Sequence, residues 1–171
     1  MELEKDLERY EKVLNIINNE DNQMYMVTLS MNVSNQEAYV RFIKQQQEYL
    51  LGRMEIENNK VEIEYMNNYG IGEIMKIISL SSLVYLSKSS NKGIGEIENE
   101  NKELFKKKNN DYGKSYEDFG LIGIIIRMND KINRIKSICI KNEIEVKNEK
   151  IEDSINDLYN YTILGLMLHK K

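Results

Sequence analysis

The chain has 171 residues, of which 41% are hydrophobic and 30% are charged, so it can form a folded core and is not a disordered tail. One cysteine and one histidine exclude a disulfide scaffold and zinc sites built from these residue types. The net charge is −4, with −5 in residues 1–97 and +1 in residues 98–171, which argues against broad nucleic-acid binding because that requires a strongly basic face.

Apolar residues in the first part of the chain recur every three or four positions, which is typical of amphipathic helices. This spacing predicts helices over 2–18 and 35–56. The second has Ser34 at its cap and Glu37 three residues later, a capping-box arrangement. The apolar segment 24–33 between them fits either a short strand or a helical turn.

The rest of the chain also has helical spacing, with polar segments between the helices. We predict helices over 61–87 and 96–108, a turn over 109–113, a long helix from residue 116 or 120 to 140, and a last helix over 149–169. No segment combines sustained alternation of apolar and polar residues with hairpin turns. The predicted fold class is therefore all-α, a helical bundle.

The long helix has one broad apolar face, formed by Leu121, Ile124, Ile125, Met128, Ile132, Ile135 and Cys139. Three cations and one carboxylate share a polar face of the same helix, at positions i, i+3, i+4 and i+7. They are Arg127, Asp130, Lys131 and Arg134. Arginine offers phosphate a two-pronged hydrogen-bond donor, lysine offers a point charge, and the aspartate could orient a guanidinium or hold a metal. The alternative interpretation is a solvated helix face held by ion pairs.

The last predicted helix has a comparable row of acids and amides. Asp153, Asp157 and Asn160 lie at i, i+4 and i+7, and Tyr161 follows. Two carboxylates one turn apart suit Mg²⁺, which usually keeps several waters and substrate phosphates as further ligands. The alternative is that Asp153 caps the helix and the other groups are solvated. Tyr161 is either a core residue or a wall for a flat ring.

The turn predicted over 109–113 also contains groups that could contact a nucleotide. Tyr112 could stack on a base, with Asp111 beside it and Lys108 supplying positive charge. The other interpretation is an ordinary turn with a packed tyrosine.

Three motifs in chain order resemble a known family. They are Lys108-Asn109-Asn110-Asp111-Tyr112-Gly113, Arg127-x-x-Asp130-Lys131-x-x-Arg134, and Glu152-Asp153-x-x-x-Asp157-Leu158-x-Asn160-Tyr161. The series resembles the nucleotide-modification-associated all-helical domain of phages and bacteria over about residues 98–171. The resemblance implies a helical, nucleotide-associated domain with distant kinship to MazG-type all-α nucleotide pyrophosphatases. The EExxE motif of those enzymes is absent, so binding is easier to support than cleavage.

The domain prediction divides the chain into an N-terminal helical part, 1–93, and the family-like domain, 94–171. Residues 65–71 can be aligned with 157–163 through a shared Asn-Tyr pair, which is consistent with a degenerate repeat. Coincidence in a chain rich in asparagine and tyrosine is the alternative.

We therefore predict a phage-type protein that binds a phosphorylated nucleotide. The predicted ligand-binding residues are Lys108, Asp111, Tyr112, Arg127, Asp130, Lys131, Arg134, Asn160 and Tyr161, with Asp153 and Asp157 as candidate Mg²⁺ ligands. One open alternative is Mg²⁺-dependent (deoxy)nucleotide processing in phage DNA metabolism. Another is a non-catalytic sponge that sequesters a nucleotide-derived immune signal, and a third is a structural or partner-binding helical protein.

The sequence also predicts the protein's surroundings. No apolar run approaches membrane-spanning length and no basic-then-apolar leader opens the chain, so we expect a cytoplasmic protein, in the host cytoplasm if it is phage-encoded. The aliphatic segment 74–86 predicts a homo-oligomer that buries this surface.

Overall fold

The computed structural model describes residues 2–18, 33, 35–56, 70–112, 117–118, 120–141 and 150–169. Within these residues it contains six helices and no strand, which confirms the all-α prediction. The helices are α1 (Glu2–Ile17), α2 (Gln36–Ile56), α3 (Ile71–Ser90), α4 (Ile94–Tyr112), α5 (Gly120–Lys141) and α6 (Ile151–His169).

Local chemistry sets several helix ends. The predicted cap of α2 at Ser34 is wrong by one residue, because the Ala38 backbone N–H donates to Asn35 Oδ1 at 2.8 Å. α3 begins after Gly70, whose φ of 127° favours glycine, and it ends at Asn91 in the left-handed conformation.

α3 lies at the centre of the bundle, since most of residues 71–86 are buried. Burial of an aliphatic side chain contributes roughly 1.5–3 kcal/mol, so this helix is a main source of stability. The Tyr39 ring of α2 stacks on Tyr85 with ring centres 4.8 Å apart, and the Tyr39 and Ser82 hydroxyls are hydrogen-bonded at 2.7 Å. These contacts fix α2 on α3.

The burial of α3 removes the basis of the oligomer prediction. Segment 74–86 is covered by other helices of the same chain and is not a free aliphatic surface. The predicted self-association therefore stays a prediction without that argument.

α6 runs in the opposite direction to α3 and α5, with its last turns against their first turns. A β-carbon at Gly165 of α6 would lie 2.6 Å from Met75 Sδ and 3.3 Å from Ile124 Cγ2, and one at Gly72 would lie 2.9 Å from the His169 ring. The lack of a side chain at Gly165 is what allows the three helices to approach this closely.

α1 and α4 are antiparallel to each other and cover the other side of α6. Asn18 contacts Glu98 at one end of this pair, and Asn109 contacts Asp6 at the other. Arg9 of α1 reaches the backbone carbonyl of Met167 on α6. α1 is thus anchored to the helices of the second part of the chain.

None of the described helices has both the length and the apolar character needed to cross a membrane.

Two predictions from the sequence stay open, the internal repeat and the domain boundary at residue 93. Most of the aligned segment 65–71 lies outside the described residues, so the structure does not test the repeat. Segment 24–32 also lies outside them.

Candidate functional site

The apolar and polar sides of α5 are divided as the sequence predicts. The apolar face of α5 is buried at Leu121, Ile124, Ile125, Met128, Ile132 and Ile135, and Cys139 is half-buried. Arg127 and Asp130 are exposed, while Lys131 and Arg134 are half-buried. The polar row therefore runs along the edge of the packed face.

One ion pair joins this row to α6. Lys131 Nζ lies 3.0 Å from Asp157 Oδ2, and the two side chains are 27% and 39% exposed. The charged row of α5 and the acid and amide row of α6 therefore share one surface, with solvent access to both partners.

The three predicted residues of the α6 row have different partners. Asp153, in the first turn of α6, accepts a hydrogen bond from the Lys150 backbone N–H at 3.2 Å, so it helps to cap the start of the helix. Asp157 turns to Lys131 of α5. Asn160 turns to α4, where its Nδ2 donates to Asn101 Oδ1 at 2.8 Å. Of these three side chains, Asp157 is the one with a recorded contact to a cation of α5 in the described part of the chain.

The turn predicted over 109–113 is wrong for its first four residues, because α4 continues through Tyr112. Asn109 Nδ2 donates to the buried Asp6 carboxylate at 3.2 Å, a tertiary contact that supports the helix beyond its predicted end. Lys108 is exposed on this last part of α4. The structure does not describe the side chains of Asp111 and Tyr112, nor residue 113. Stacking of Tyr112 on a base therefore stays a prediction. Tyr161 is half-buried and packs against the core.

The two candidate Mg²⁺ ligands both have protein partners. The contacts of Asp153 with the Lys150 backbone N–H and of Asp157 with Lys131 each use one carboxylate oxygen, Oδ2. Among the described residues no group of three or more histidine, cysteine, aspartate or glutamate side chains could hold a metal ion. The Mg²⁺ site therefore stays a prediction.

Sequence reasoning missed a cluster of three amides beside this surface. Asn101 of α4 is 5% exposed. Its Nδ2 donates to the Ile97 carbonyl at 2.9 Å and to Asn156 Oδ1 at 3.2 Å, and its Oδ1 accepts from Asn160. The sequence did offer a signal, because Asn101 is a polar residue on the apolar face of α4. A buried amide requires hydrogen-bond partners, so its position indicates a polar contact with another helix.

Sequence reasoning also missed a second group of polar contacts on the other side of α5. The buried Gln47 of α2 donates to Asn129 Oδ1 at 2.6 Å and to Asn133 Oδ1 at 2.9 Å, and Lys136 donates to Gln47 Oε1 at 2.9 Å. These bonds join α2 to α5. A surface depression lined by Ala38, Arg41, Phe42 and Gln45 includes none of the predicted site residues.

Near the amide cluster, α1, α4 and α6 enclose two tyrosines and a carboxylate. The hydroxyls of Tyr10 and Tyr159 are buried and have no hydrogen-bond partner among the described residues. Burial raises the pKa of both tyrosines, and the nearby Glu98 raises both further. Burial also raises the pKa of Glu98 itself, partly offset by the 2.9 Å hydrogen bond from Asn18.

The raised pKa of Glu98 predicts a pH-dependent stability. The protonated Glu98 side chain contributes to the free energy of unfolding. This contribution is fully present below the ordinary pKa of 4.5 and is lost as the pH rises through the pKa in the folded state. We expect Glu98→Gln, which keeps an acceptor for Asn18, to melt above the unmodified protein at pH 7.5. The difference in melting temperature between the variant and the unmodified protein should become smaller toward pH 4, as measured by thermal denaturation followed by circular dichroism. Glu48→Gln, on an exposed part of α2, is the control and should leave the melting temperature unchanged. Equal melting curves for Glu98→Gln and the unmodified protein at every pH would contradict the prediction.

Comparison with known proteins gives one finding on family. Residues 108–168 match the model of the family described as nucleotide modification associated domain 1. The matched segment begins at Lys108, contains all of α5 and ends one residue before α6 does, so it includes every predicted site residue. This match confirms the resemblance seen in the three motifs, while the likeness to MazG-type enzymes stays a prediction.

The matched segment does not contain the whole of the site's surroundings. Asn101, Glu98 and Tyr10 lie before its first residue. Comparisons with curated proteins and with solved structures found no similar protein.

Proposed function

We propose that this protein binds a phosphorylated nucleotide at the surface formed by α5 and α6. In this proposal Arg127, Lys131 and Arg134 hold phosphate oxygens through charge-assisted hydrogen bonds. The description of the matched family, which associates it with nucleotide modification, supports a nucleotide as the ligand.

The contact between Lys131 and Asp157 carries the proposal. It places three cations of one helix beside the acid and amide groups of another, so a single ligand could contact both rows. Asp157 also holds the Lys131 ammonium in place, which reduces the entropy lost when a phosphate binds it. Arg127 and Arg134 lie about one turn to either side of Lys131 on α5, a spacing that suits several phosphate oxygens.

Titration calorimetry with the four deoxynucleoside triphosphates and a cyclic dinucleotide, each with and without Mg²⁺, tests this function. We expect at least one nucleotide to bind, and Arg127→Ala to weaken its affinity by about tenfold or more, because a hydrogen bond to a charged group contributes about 1.5–3 kcal/mol. Arg41→Ala is the matched control, since Arg41 is also an exposed arginine within a helix. Absence of binding, or equal effects of the two variants, would contradict the proposal.

The contacts of the two acids favour a second, narrower proposal, which is capture without turnover. Asp153 caps α6 and Asp157 is paired with Lys131, so one oxygen of each carboxylate is already used by a protein partner. A sponge for a nucleotide-derived immune signal would have this property. Intact nucleotide recovered after denaturation, and detected by mass spectrometry, would support it. Mg²⁺-dependent product formation that Asp157→Asn abolishes would instead favour (deoxy)nucleotide processing.

A further inference from the structure

The amide of Asn160 is held in a fixed orientation by a residue outside the family-matched segment. Asn101 is buried, and its Nδ2 group is directed to the Ile97 carbonyl and to Asn156 Oδ1. This leaves Asn101 Oδ1 to face Asn160, which must therefore present its own Nδ2 to α4. The chain of contacts determines which end of the Asn160 amide is the donor.

This orientation leaves part of the Asn160 amide for a ligand. Asn160 is half-buried, and its Oδ1 and second N–H have no hydrogen-bond partner within the described part of the chain. One donor beside one acceptor, held in a plane, matches a nucleobase edge with the same pair, such as N6 and N7 of adenine.

The position of Asn160 also fits the proposed phosphate surface. It follows Asp157 by three residues, so it lies about 5 Å along the same side of α6. Asp157 in turn touches Lys131 of the cation row. A nucleotide with its phosphates on α5 could therefore extend its base over α6 toward the amide cluster.

We propose that Asn160 recognises the base of the bound nucleotide and that Asn101 is a positioning residue that orients the Asn160 amide. The ligand class is a nucleotide whose base offers one donor next to one acceptor. This inference rests on the proposed function, because it names the base-recognising part of the same site.

The test compares a ligand that has a base with one that lacks it. Titration calorimetry measures dATP and inorganic tripolyphosphate against the unmodified protein and Asn160→Ala. We expect the variant to bind dATP about tenfold more weakly and tripolyphosphate unchanged, since one good bidentate contact to a base contributes on that order. Asn99→Ala, at an exposed asparagine of α4, is the matched control and should change neither affinity.

One further variant separates recognition from folding. Asn101→Ala should lower the ratio of dATP to tripolyphosphate affinity, whereas a purely structural role would lower the melting temperature and leave that ratio unchanged.

The outcomes distinguish this inference from the function it rests on. Binding of dATP that Asn160→Ala leaves unchanged, or equal losses for dATP and tripolyphosphate, would overturn the assignment of Asn160 while the nucleotide site stands. Failure of all four deoxynucleoside triphosphates, the cyclic dinucleotide and tripolyphosphate to bind would refute both proposals.

Discussion

Replacing Gly165 by leucine is expected to lower the free energy of unfolding by about 3 kcal/mol, the upper part of the range for overpacking a core. Even a β-carbon at this position would lie 2.6 Å from Met75 Sδ and 3.3 Å from Ile124 Cγ2. Met75 is fully buried, so its side chain has no solvent-exposed space into which it can move. Accommodating leucine requires α6 to move away from α3 and α5.

Urea denaturation followed by circular dichroism measures this loss. Gly52→Ala on α2 is the matched control, because no atom lies within 4 Å of a β-carbon at Gly52. That variant should gain about 0.5–1 kcal/mol, since alanine is the better helix former. An unchanged unfolding midpoint for Gly165→Leu would mean that the three helices do not meet at Gly165.

Replacing Arg9 by methionine, which removes the positive charge, is expected to cause the other large decrease in the free energy of unfolding. Arg9 lies 3.0 Å from Glu117 Oε1 and 3.4 Å from Asp6 Oδ1, and it donates to the Met167 carbonyl. Asp6 is 1% exposed. Arg9→Met would leave a buried carboxylate without this cation, which costs about 3–5 kcal/mol for fully buried pairs. We expect about 2 kcal/mol here because Arg9 is itself partly exposed.

A double variant shows whether charge is the cause. Adding Asp6→Asn to Arg9→Met should recover part of the lost stability, because it removes the charge that Arg9 compensated. Arg41→Met is the control at an exposed arginine and should change the unfolding free energy little. If Arg9→Met behaves like Arg41→Met in the same urea titration, α1 is not anchored through this network.

The helices could be predicted from the sequence because each has an apolar side of regular spacing. α5 illustrates this, since the apolar residues between Leu121 and Ile135 recur at helical spacing and are buried where predicted. Helix ends were predicted less well. The turn after Lys108 was wrong because Asn109 has a partner in α1, and such a tertiary contact has no local signal.

The candidate site was only partly predictable for a related reason. The spacing placed Lys131 and Asp157 on the polar sides of their helices, but the 3.0 Å contact between them depends on how α5 and α6 are aligned. Asn101 was missed because its role depends on α4 lying beside α6, and the three motifs do not include α4 before Lys108.

The sequence by itself determined the helical fold class, the division of α5 into two faces and the family resemblance of the second part. These properties follow from composition, from the 3.6-residue period and from local motifs. The tertiary structure alone decided that α3 is central, that three helices approach closely at Gly165, and that Asn101 contacts Asn160. Periodicity assigns a side chain to a helix face, but only close packing between helices decides what that face meets.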